Sequence, residues 1–177
     1  MNYAKIKKID VADGPGVRVG LFVSGCTHHC KECFNPETWD FNFGEEFTSD
    51  VADEIISALA PDYITGFTLL GGEPFEAANQ PAVLPLLKKI KQIYPKKSIW
   101  CYSGYLFDKD ILNPESNIRT DATSEMISLI DVLVDGEFHI DEKDLNIKFR
   151  GSRNQRIIDV ARSLKEDRVI TLSDDEV

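Results

Sequence analysis

Three cysteines in one short segment are the residues whose type and spacing most directly indicate chemistry. Cys26, Cys30 and Cys33 have the spacing C-x3-C-x2-C and directly follow an apolar run, and no obvious fourth ligand comes after them. A cubane iron–sulfur cluster normally takes four cysteines, so three thiolates would leave one iron open for chemistry. A zinc site built from the three thiols with His28 or His29 is the alternative.

A glycine pair after a later apolar segment is the second candidate. Gly71-Gly72-Glu73-Pro74 begins with two residues that have no Cβ, so the backbone there can approach a ligand closely, and Pro74 fixes the turn that follows. A plain strand-to-helix turn is the alternative. The fourth cysteine, Cys101, lies inside a predicted strand and is interpreted as a small buried apolar residue.

The elements that must position these residues alternate between strand and helix along the chain. Alternation of this kind indicates a parallel sheet with helical crossovers. Parallel sheets bind ligands at the carboxyl ends of their strands, so we predict that the cysteine loop, Gly71-Gly72, Ser103-Gly104 and Asp135-Gly136 meet at one rim. The pattern predicts strands over residues 17–24, 66–70, 98–102, 131–135 and 168–172, and helices over residues 49–60, 82–94 and 124–130, with Pro85 suited only to a first helical turn.

The length of the chain limits which α/β architecture these elements can form. A complete eightfold barrel usually needs at least about 200 residues, and this chain has 177. We therefore predict a single α/β domain over residues 1–177, built as an incomplete (β/α) barrel or a curved, mostly parallel sheet with helices outside. The acidic residues 173–177 are predicted to form a flexible tail.

Composition and charge argue against several classes of function and location. The net charge of −10 argues against binding to nucleic acid or to an anionic membrane. No apolar stretch approaches the roughly 20 residues that span a bilayer, and the first ten residues lack the apolar core of a signal peptide. These features predict a cytoplasmic protein, in which thiols stay reduced and clustered cysteines bind metal rather than form disulfides.

Several motifs together carry a resemblance to a known family. The cysteine spacing followed by Gly-Gly-Glu-Pro resembles the radical S-adenosylmethionine superfamily, and Asp-Gly-Pro-Gly-Val-Arg at residues 13–18 resembles the N-terminal motif of glycyl-radical-enzyme activases. More narrowly, several segments resemble the activases of anaerobic ribonucleoside-triphosphate reductase, so the resemblance covers nearly the whole chain to about Ile158. These segments are residues 21–26, 33–41, 69–74, 102–105, 131–136 and 149–156.

The resemblance implies a cofactor pair, a reaction and a partner. Cys26, Cys30 and Cys33 would hold three irons of a [4Fe-4S] cluster, and S-adenosylmethionine would chelate the fourth through its amino and carboxylate groups. An electron from a low-potential donor such as flavodoxin or ferredoxin would pass through the cluster and cleave the sulfonium. The resulting 5′-deoxyadenosyl radical would abstract hydrogen from a glycine on the large subunit of the reductase. No nucleic acid or membrane takes part.

Ten residues in the cysteine loop and at strand ends are implied to bind the nucleoside cofactor. The backbone of residues 71–73 would meet its methionyl amino group, and residues 103–104 would approach the ribose or carboxylate. Asp135 would hold a polar group of the cofactor or a monovalent cation, or is instead a solvated turn residue. The ten residues are Glu32, Cys33, Phe34, Gly71, Gly72, Glu73, Pro74, Ser103, Gly104 and Asp135.

Two positions depart from the family pattern. Many members carry an aromatic residue beside the adenine just before the third cysteine, where this chain has Glu32; the backbone of residues 32–34 could still bind adenine, with Phe34 packed on it. Tyr102-Ser103 replaces the Tyr-Thr of the pattern and keeps the hydroxyl.

Other interpretations stay open from the residues alone. Arg150, Arg153 and Arg156 form either surface salt bridges or a docking patch for a large partner. A radical enzyme with a small-molecule substrate or another glycyl-radical partner is the second functional hypothesis, and a non-enzymatic zinc module is the third. The first hypothesis requires a site that is open on one side, so that a glycine loop can enter.

Overall fold

The computed structural model describes residues 1–177, and its central feature is one seven-stranded sheet. The strands are β1 (Asn2–Asp10), β2 (Val17–Val23), β3 (Glu45–Glu46), β4 (Ile64–Gly71), β5 (Ser98–Ser103), β6 (Val132–Asp135) and β7 (Arg156–Asp159). The helices are α1 (Ser49–Ala58), α2 (Gln80–Ile93), α3 (Thr123–Leu129) and α4 (Val160–Glu166).

The middle of the sheet is parallel and its two sides are antiparallel. The spatial order is β3-β1-β2-β4-β5-β6-β7. Strands β2, β4, β5 and β6 run parallel to one another, whereas β1, β3 and β7 pair antiparallel with their neighbours. Strands β3 and β7 form free edges, so the sheet does not close into a barrel. This arrangement confirms the predicted α/β fold with a mostly parallel, open sheet.

The main hydrophobic core lies between the sheet and its crossover helices. Leu21, Phe67, Leu69 and Ile90 are fully buried members of it, and burial of such apolar surface is the main force that stabilises the fold. Successive strand residues point to opposite faces. A smaller cluster around Trp100 therefore lies on the other face of the sheet, and this second face carries the site described below.

One predicted strand is wrong, one predicted helix begins two residues earlier than predicted, and strands at the sides of the sheet were missed. Residues 168–172 were predicted as a strand, but they make only an isolated bridge between Thr171 and Ile158. Strand β7 occupies the edge instead. Pro85 lies in the second turn of α2 rather than the first, because the helix begins at Gln80. Strand β1 was not predicted at all, since its lysines break the apolar alternation.

The carboxyl-terminal residues contact the loop that precedes β7. The Asp174 carboxylate pairs with the Arg150 guanidinium, and Lys148 Nζ donates to the Asp174 carbonyl at 2.7 Å. The flexibility of residues 173–177 stays a prediction. None of the helices combines the length and apolar character needed to cross a membrane.

Candidate functional site

The cysteine loop leaves the carboxyl end of β2 through a glycine in the left-handed region. Gly25 has φ +97°, and a Cβ there would lie 2.3 Å from the Phe41 ring. The Gly25 N–H donates to the Thr38 carbonyl at 2.8 Å, and the Cys26 N–H donates to the Trp39 carbonyl at 3.3 Å. These contacts fix the first cysteine against the short 3-10 turn that follows the loop.

All four cysteines are free thiols, and burial favours the protonated form of three of them. Burial raises the pKa of Cys26 to about 12 and also raises the pKa of Cys30. Burial raises the pKa of Cys101, in the core, well above its ordinary value. A metal centre binds thiolates, so loading the loop must release protons from these thiols.

Backbone N–H groups surround the sulfurs of the cysteine loop. Such donors stabilise a thiolate and oppose the effect of burial on the thiol pKa. The donors are His28 and His29 toward Cys26, Phe138 toward Cys30, and Asn35 toward Cys33 at 3.4 Å. No three or more His, Cys, Asp or Glu side chains lie close enough to share a single metal ion; in a cubane cluster, by contrast, each thiolate binds its own iron.

The glycine pair at the end of β4 is required by close contacts with the end of β2 and with the cysteine loop. A Cβ at Gly71, which has φ +110°, would lie 2.6 Å from the Val23 nitrogen, and a Cβ at Gly72 would lie 2.6 Å from the Gly25 carbonyl oxygen. The Gly72 N–H donates to the Val23 carbonyl at 2.7 Å, and the Glu73 N–H donates to the Gly25 carbonyl at 2.8 Å. The glycines therefore let two strand ends pack directly against each other.

The buried carboxylate of Glu73 joins three parts of the rim. It accepts hydrogen bonds from the Ser103 hydroxyl at 2.8 Å, the Gly104 N–H at 2.7 Å and the Phe75 N–H at 2.8 Å. His28 Nε2, in the cysteine loop, lies 3.2 Å from the same carboxylate. The glutamate side chain thus holds the end of β5 and the cysteine loop to the end of β4.

His28 is more buried than its position in a polar loop indicates. Its side chain is 8% exposed, and its Nδ1 lies 2.9 Å from Oε1 of Glu137. Burial disfavours the imidazolium, but the hydrogen bonds and charges of Glu73 and Glu137 outweigh burial and raise the pKa of His28 to about 9. At neutral pH the His28 ring is therefore a cation between two carboxylates.

A cavity of about 510 Å³ lies along this rim and brings most of the predicted site residues together. Leu145 and Phe34, which line it, are 82% and 64% exposed, so the cavity is open to solvent on one side. The predicted site residues in its walls are Cys26, Cys30, Cys33, Phe34, Gly71, Gly72, Glu73, Ser103 and Gly104.

Three of the predicted residues lie outside the cavity walls. Glu32 is in the exposed part of the cysteine loop with φ +58°, and Pro74 is buried behind Glu73. Asp135 is fully buried rather than solvated. Its Oδ1 accepts from Arg156 Nε at 2.9 Å, and its Oδ2 accepts from the Phe107 N–H at 2.8 Å.

All three arginines of the basic segment are paired with carboxylates. Arg150 pairs with Asp174, Arg153 with Asp144, and Arg156 with both Asp108 and Asp135. These pairs match the salt-bridge interpretation of the three arginines.

Several residues in the cavity walls were not predicted. Lys5 and Lys7 come from β1, and their ammonium groups lie 4.4 Å and 4.9 Å from the centroid of the Phe22 ring. The absence of β1 from the predicted elements explains why sequence reasoning missed this wall. Trp39 and Tyr102 also line the cavity, and the indole N–H and the hydroxyl are buried without any hydrogen-bond partner.

Comparison with known proteins gives one consistent result. The family model described as a 4Fe-4S single cluster domain matches residues 12–158. Three relatives are each named anaerobic ribonucleoside-triphosphate reductase-activating protein. The Vibrio cholerae protein is 41% identical over 159 residues, covering 89% of this chain and 97% of the relative.

The other two relatives agree with the first. The Escherichia coli K12 protein is 41% identical over 157 residues, covering 88% of this chain and 96% of its own length. The enterobacteria phage T4 protein is 40% identical over 159 residues, covering 89% and 93%. The domain match supports an iron–sulfur cluster at the cysteine loop. The chain therefore belongs to the family of anaerobic ribonucleoside-triphosphate reductase-activating proteins.

Proposed function

We propose that this protein activates the anaerobic ribonucleoside-triphosphate reductase by forming a glycyl radical on the large subunit of that enzyme. The observation that carries the proposal is the juxtaposition of three free thiols and the ends of β4 and β5 in one open cavity. The relatives, which match nearly nine-tenths of this chain, are named for activation of that reductase.

The chemistry of the cysteine loop fits a [4Fe-4S] cluster. Cys26, Cys30 and Cys33 would each bind one iron, and the backbone N–H groups around their sulfurs would stabilise the thiolate ligands. No fourth cysteine lines the cavity, because Cys101 is fully buried in the main core. One iron is thus left for a ligand that is not a cysteine.

The end of β4 fits the amino acid part of S-adenosylmethionine. An ammonium group is a donor only and needs acceptors, and the Gly72 carbonyl accepts no hydrogen bond within the protein. We propose that this carbonyl, with the backbone of Gly71 and Glu73, holds the methionyl amino group. Ser103 and Gly104, held in place by Glu73, would contact the ribose or carboxylate.

The remaining contacts extend the same binding mode. The backbone of residues 32–34 would hold the adenine, with the exposed ring of Phe34 beside it. Asp135 would act on the cofactor only through residues that lie between it and the cavity, since its carboxylate is engaged by Arg156 and Phe107.

When bound, the cluster and S-adenosylmethionine would supply reductive cleavage of the sulfonium, and with it the radical chemistry that removes hydrogen from a glycine of the reductase. The residues of this chain orient the cofactor against the cysteine loop and leave the solvent side of the cavity free for the glycine segment. A low-potential donor such as flavodoxin or ferredoxin would supply the electron. We propose that the protein works in the cytoplasm, with no nucleic acid or membrane as partner.

Replacing one thiol tests the proposal against a matched cysteine in the core. We expect Cys30→Ala to lose most of its iron and all reductive cleavage of S-adenosylmethionine. We expect Cys101→Ala to keep about four irons per chain and full cleavage. Iron analysis, electron paramagnetic resonance of the reduced protein and glycyl radical formation on the reductase are the measurements.

Each alternative gives a different result in that experiment. Full cleavage by Cys30→Ala, or one zinc and no iron in the anaerobically reconstituted parent protein, would contradict the proposed chemistry. Normal cleavage by the parent protein with no glycyl radical on the reductase would instead point to another substrate or partner.

A further inference from the structure

The indole N–H of Trp39 is a buried hydrogen-bond donor that has no acceptor in the protein. Nε1 of Trp39 is buried without a partner, and such groups are rare enough in folded proteins that each requires an explanation. Trp39 lines the cavity that also contains Cys26, Cys30 and Cys33. We infer that this N–H donates to a sulfur of the iron–sulfur cluster and raises the reduction potential of the cluster; the inference rests on the function proposed above.

The position of Trp39 relative to the cysteine loop is fixed by two contacts. Its carbonyl accepts the Cys26 N–H at 3.3 Å, so its backbone is held beside the first thiol. Its ring lies against the His29 ring, with centroids 4.7 Å apart, and His29 lies between Cys26 and Cys30 in the sequence. The indole is therefore anchored at the wall where the cluster would be bound.

The sulfur atoms of a bound cluster are the acceptors that would lie near this N–H. An indole N–H can only donate a hydrogen bond. No carboxylate or carbonyl of the protein accepts the hydrogen bond of Trp39. A bound cluster would add sulfide sulfurs, which the protein alone does not contain, and would convert the cysteine thiols to thiolates, which are stronger acceptors. A cluster held by the cysteine loop would place such sulfurs along this wall.

The expected effect of this hydrogen bond has a definite direction. Reduction adds negative charge to the cluster, and an N–H donor to sulfur stabilises the more negative state, so donors raise the potential. The other donors around the thiols belong to the backbone of His28, His29, Asn35 and Phe138. Trp39 supplies a side-chain donor, which substitution can remove while the loop backbone stays intact.

The test compares the reduction potential of two tryptophan variants with that of the parent protein. Trp39→Phe removes the N–H, whereas Trp100→Phe makes the same change in a tryptophan that packs against Phe149 on the sheet, outside the cavity walls. Each protein is reconstituted anaerobically, analysed for iron and titrated by electron paramagnetic resonance without cofactor or partner. We expect the equilibrium constant for reduction of the Trp39→Phe cluster to fall by a factor of up to ten, which lowers the reduction potential by about 59 mV for one electron. We expect the reduction potential of Trp100→Phe to match that of the parent.

Each outcome bears separately on the inference and on the proposed function. A parent protein that binds no iron overturns the proposed function itself. An iron-loaded Trp39→Phe with the parent potential overturns the role of Trp39 while leaving that function standing. If Trp39→Phe binds no iron, a second pair of variants is compared: Trp39→His keeps a ring N–H, and Trp39→Leu has none. A higher reduction potential in Trp39→His supports the inference, and equal reduction potentials overturn it.

Discussion

Tyr102 presents a second unsatisfied group in the same cavity, and its hydroxyl stays neutral. Burial and the charge of Asp13 raise the pKa of Tyr102, so the phenol keeps its proton at any physiological pH. The hydroxyl has no hydrogen-bond partner within the protein. Its free O–H therefore adds nothing to the stability of the fold and is available to whatever enters the cavity.

Removing this hydroxyl is expected to leave the fold at least as stable. We predict that Tyr102→Phe changes the free energy of unfolding by nothing or raises it by up to about 1 kcal/mol, because a desolvated, unpaired group is lost. The matched control is Tyr94→Phe, which loses the bond from the hydroxyl to the Ile56 carbonyl at 3.0 Å and should cost about 1 kcal/mol. Urea unfolding measures both. A larger loss for Tyr102→Phe than for Tyr94→Phe would show that its hydroxyl is bonded after all.

The site residues that could be predicted from the sequence are those whose type is restricted by the chemistry. The cysteine spacing and the Gly-Gly-Glu segment were identified from the sequence, and the structure places them in one cavity. Lys5, Lys7 and Trp39 were not identified as site residues, because lysine and tryptophan occur in many environments and only the fold brings them to this wall. The ion pair of the buried Asp135 with Arg156 could not be predicted either, since it joins β6 to the neighbouring β7, which was not among the predicted strands.

The ends of β2 and β4 form the structural basis of the site at the scale of elements. These strands are parallel neighbours, and Val23 pairs with Gly71 at the last position of their register. The chain needs two glycines here because the cysteine loop turns back over this point. The sequence indicated the glycines for a different reason, ligand approach, whereas the structure shows that protein backbone already fills the space.

A methyl group at the first glycine should therefore disturb both the sheet and the loop. We predict that Gly71→Ala destabilises the fold by about 2–4 kcal/mol, because its Cβ would meet the Val23 nitrogen at 2.6 Å and alanine is strained at positive φ. Iron uptake should fall with it. Gly20→Ala in β2 is the control: its Cβ would lie 3.4 Å from Asp10 Oδ2, so a cost below about 1 kcal/mol is expected. Equal unfolding free energies for the two variants would contradict this account.

Elements in the middle of the sheet were predicted better than those at its sides. Strands β2, β4, β5 and β6 are apolar and nearly continuous in the sequence, as buried parallel strands are. Strand β1 carries three lysines, and the four residues of β7 begin and end with a charged side chain, so neither shows a clear apolar pattern. Residues 168–172 have a strand-like composition, but in the tertiary structure they form only a single isolated bridge with β7. The sequence pattern alone does not distinguish these two outcomes.

The whole molecule is acidic, with a net charge of −10, and one half-buried carboxyl, that of Asp13, makes its stability depend on pH. Burial and a hydrogen bond with Asp10 raise the pKa of Asp13 to about 6, against the opposing effect of Lys7. The folded chain therefore holds this proton more tightly than the unfolded chain, where the pKa is 3.8. Stability contributed by the protonated group is fully present below about pH 4 and is lost as the pH rises through about 6.

Neutralising this carboxyl should remove that part of the pH dependence. We predict that Asp13→Asn is more stable than the parent by about 1–2 kcal/mol at pH 7.5 and that the difference shrinks toward zero near pH 4.5. Asp175→Asn removes the same charge from an exposed position in the tail and should change the free energy of unfolding little at either pH. Urea unfolding at both pH values measures these differences, and a constant advantage of Asp13→Asn would refute the assigned titration.

The contacts of His28 have a consequence for the order in which the site forms during translation. The cysteine loop is made early, but the carboxylates that hold His28 belong to Glu73 and Glu137. Translation at about 5–20 residues per second needs roughly 5–20 s to cover the hundred or so residues between Cys33 and Glu137. During that interval the cysteine loop lacks one of the two carboxylates that hold His28 in the folded chain. A cluster bound at this loop is therefore expected to be added only after the chain has been made to Glu137 or beyond.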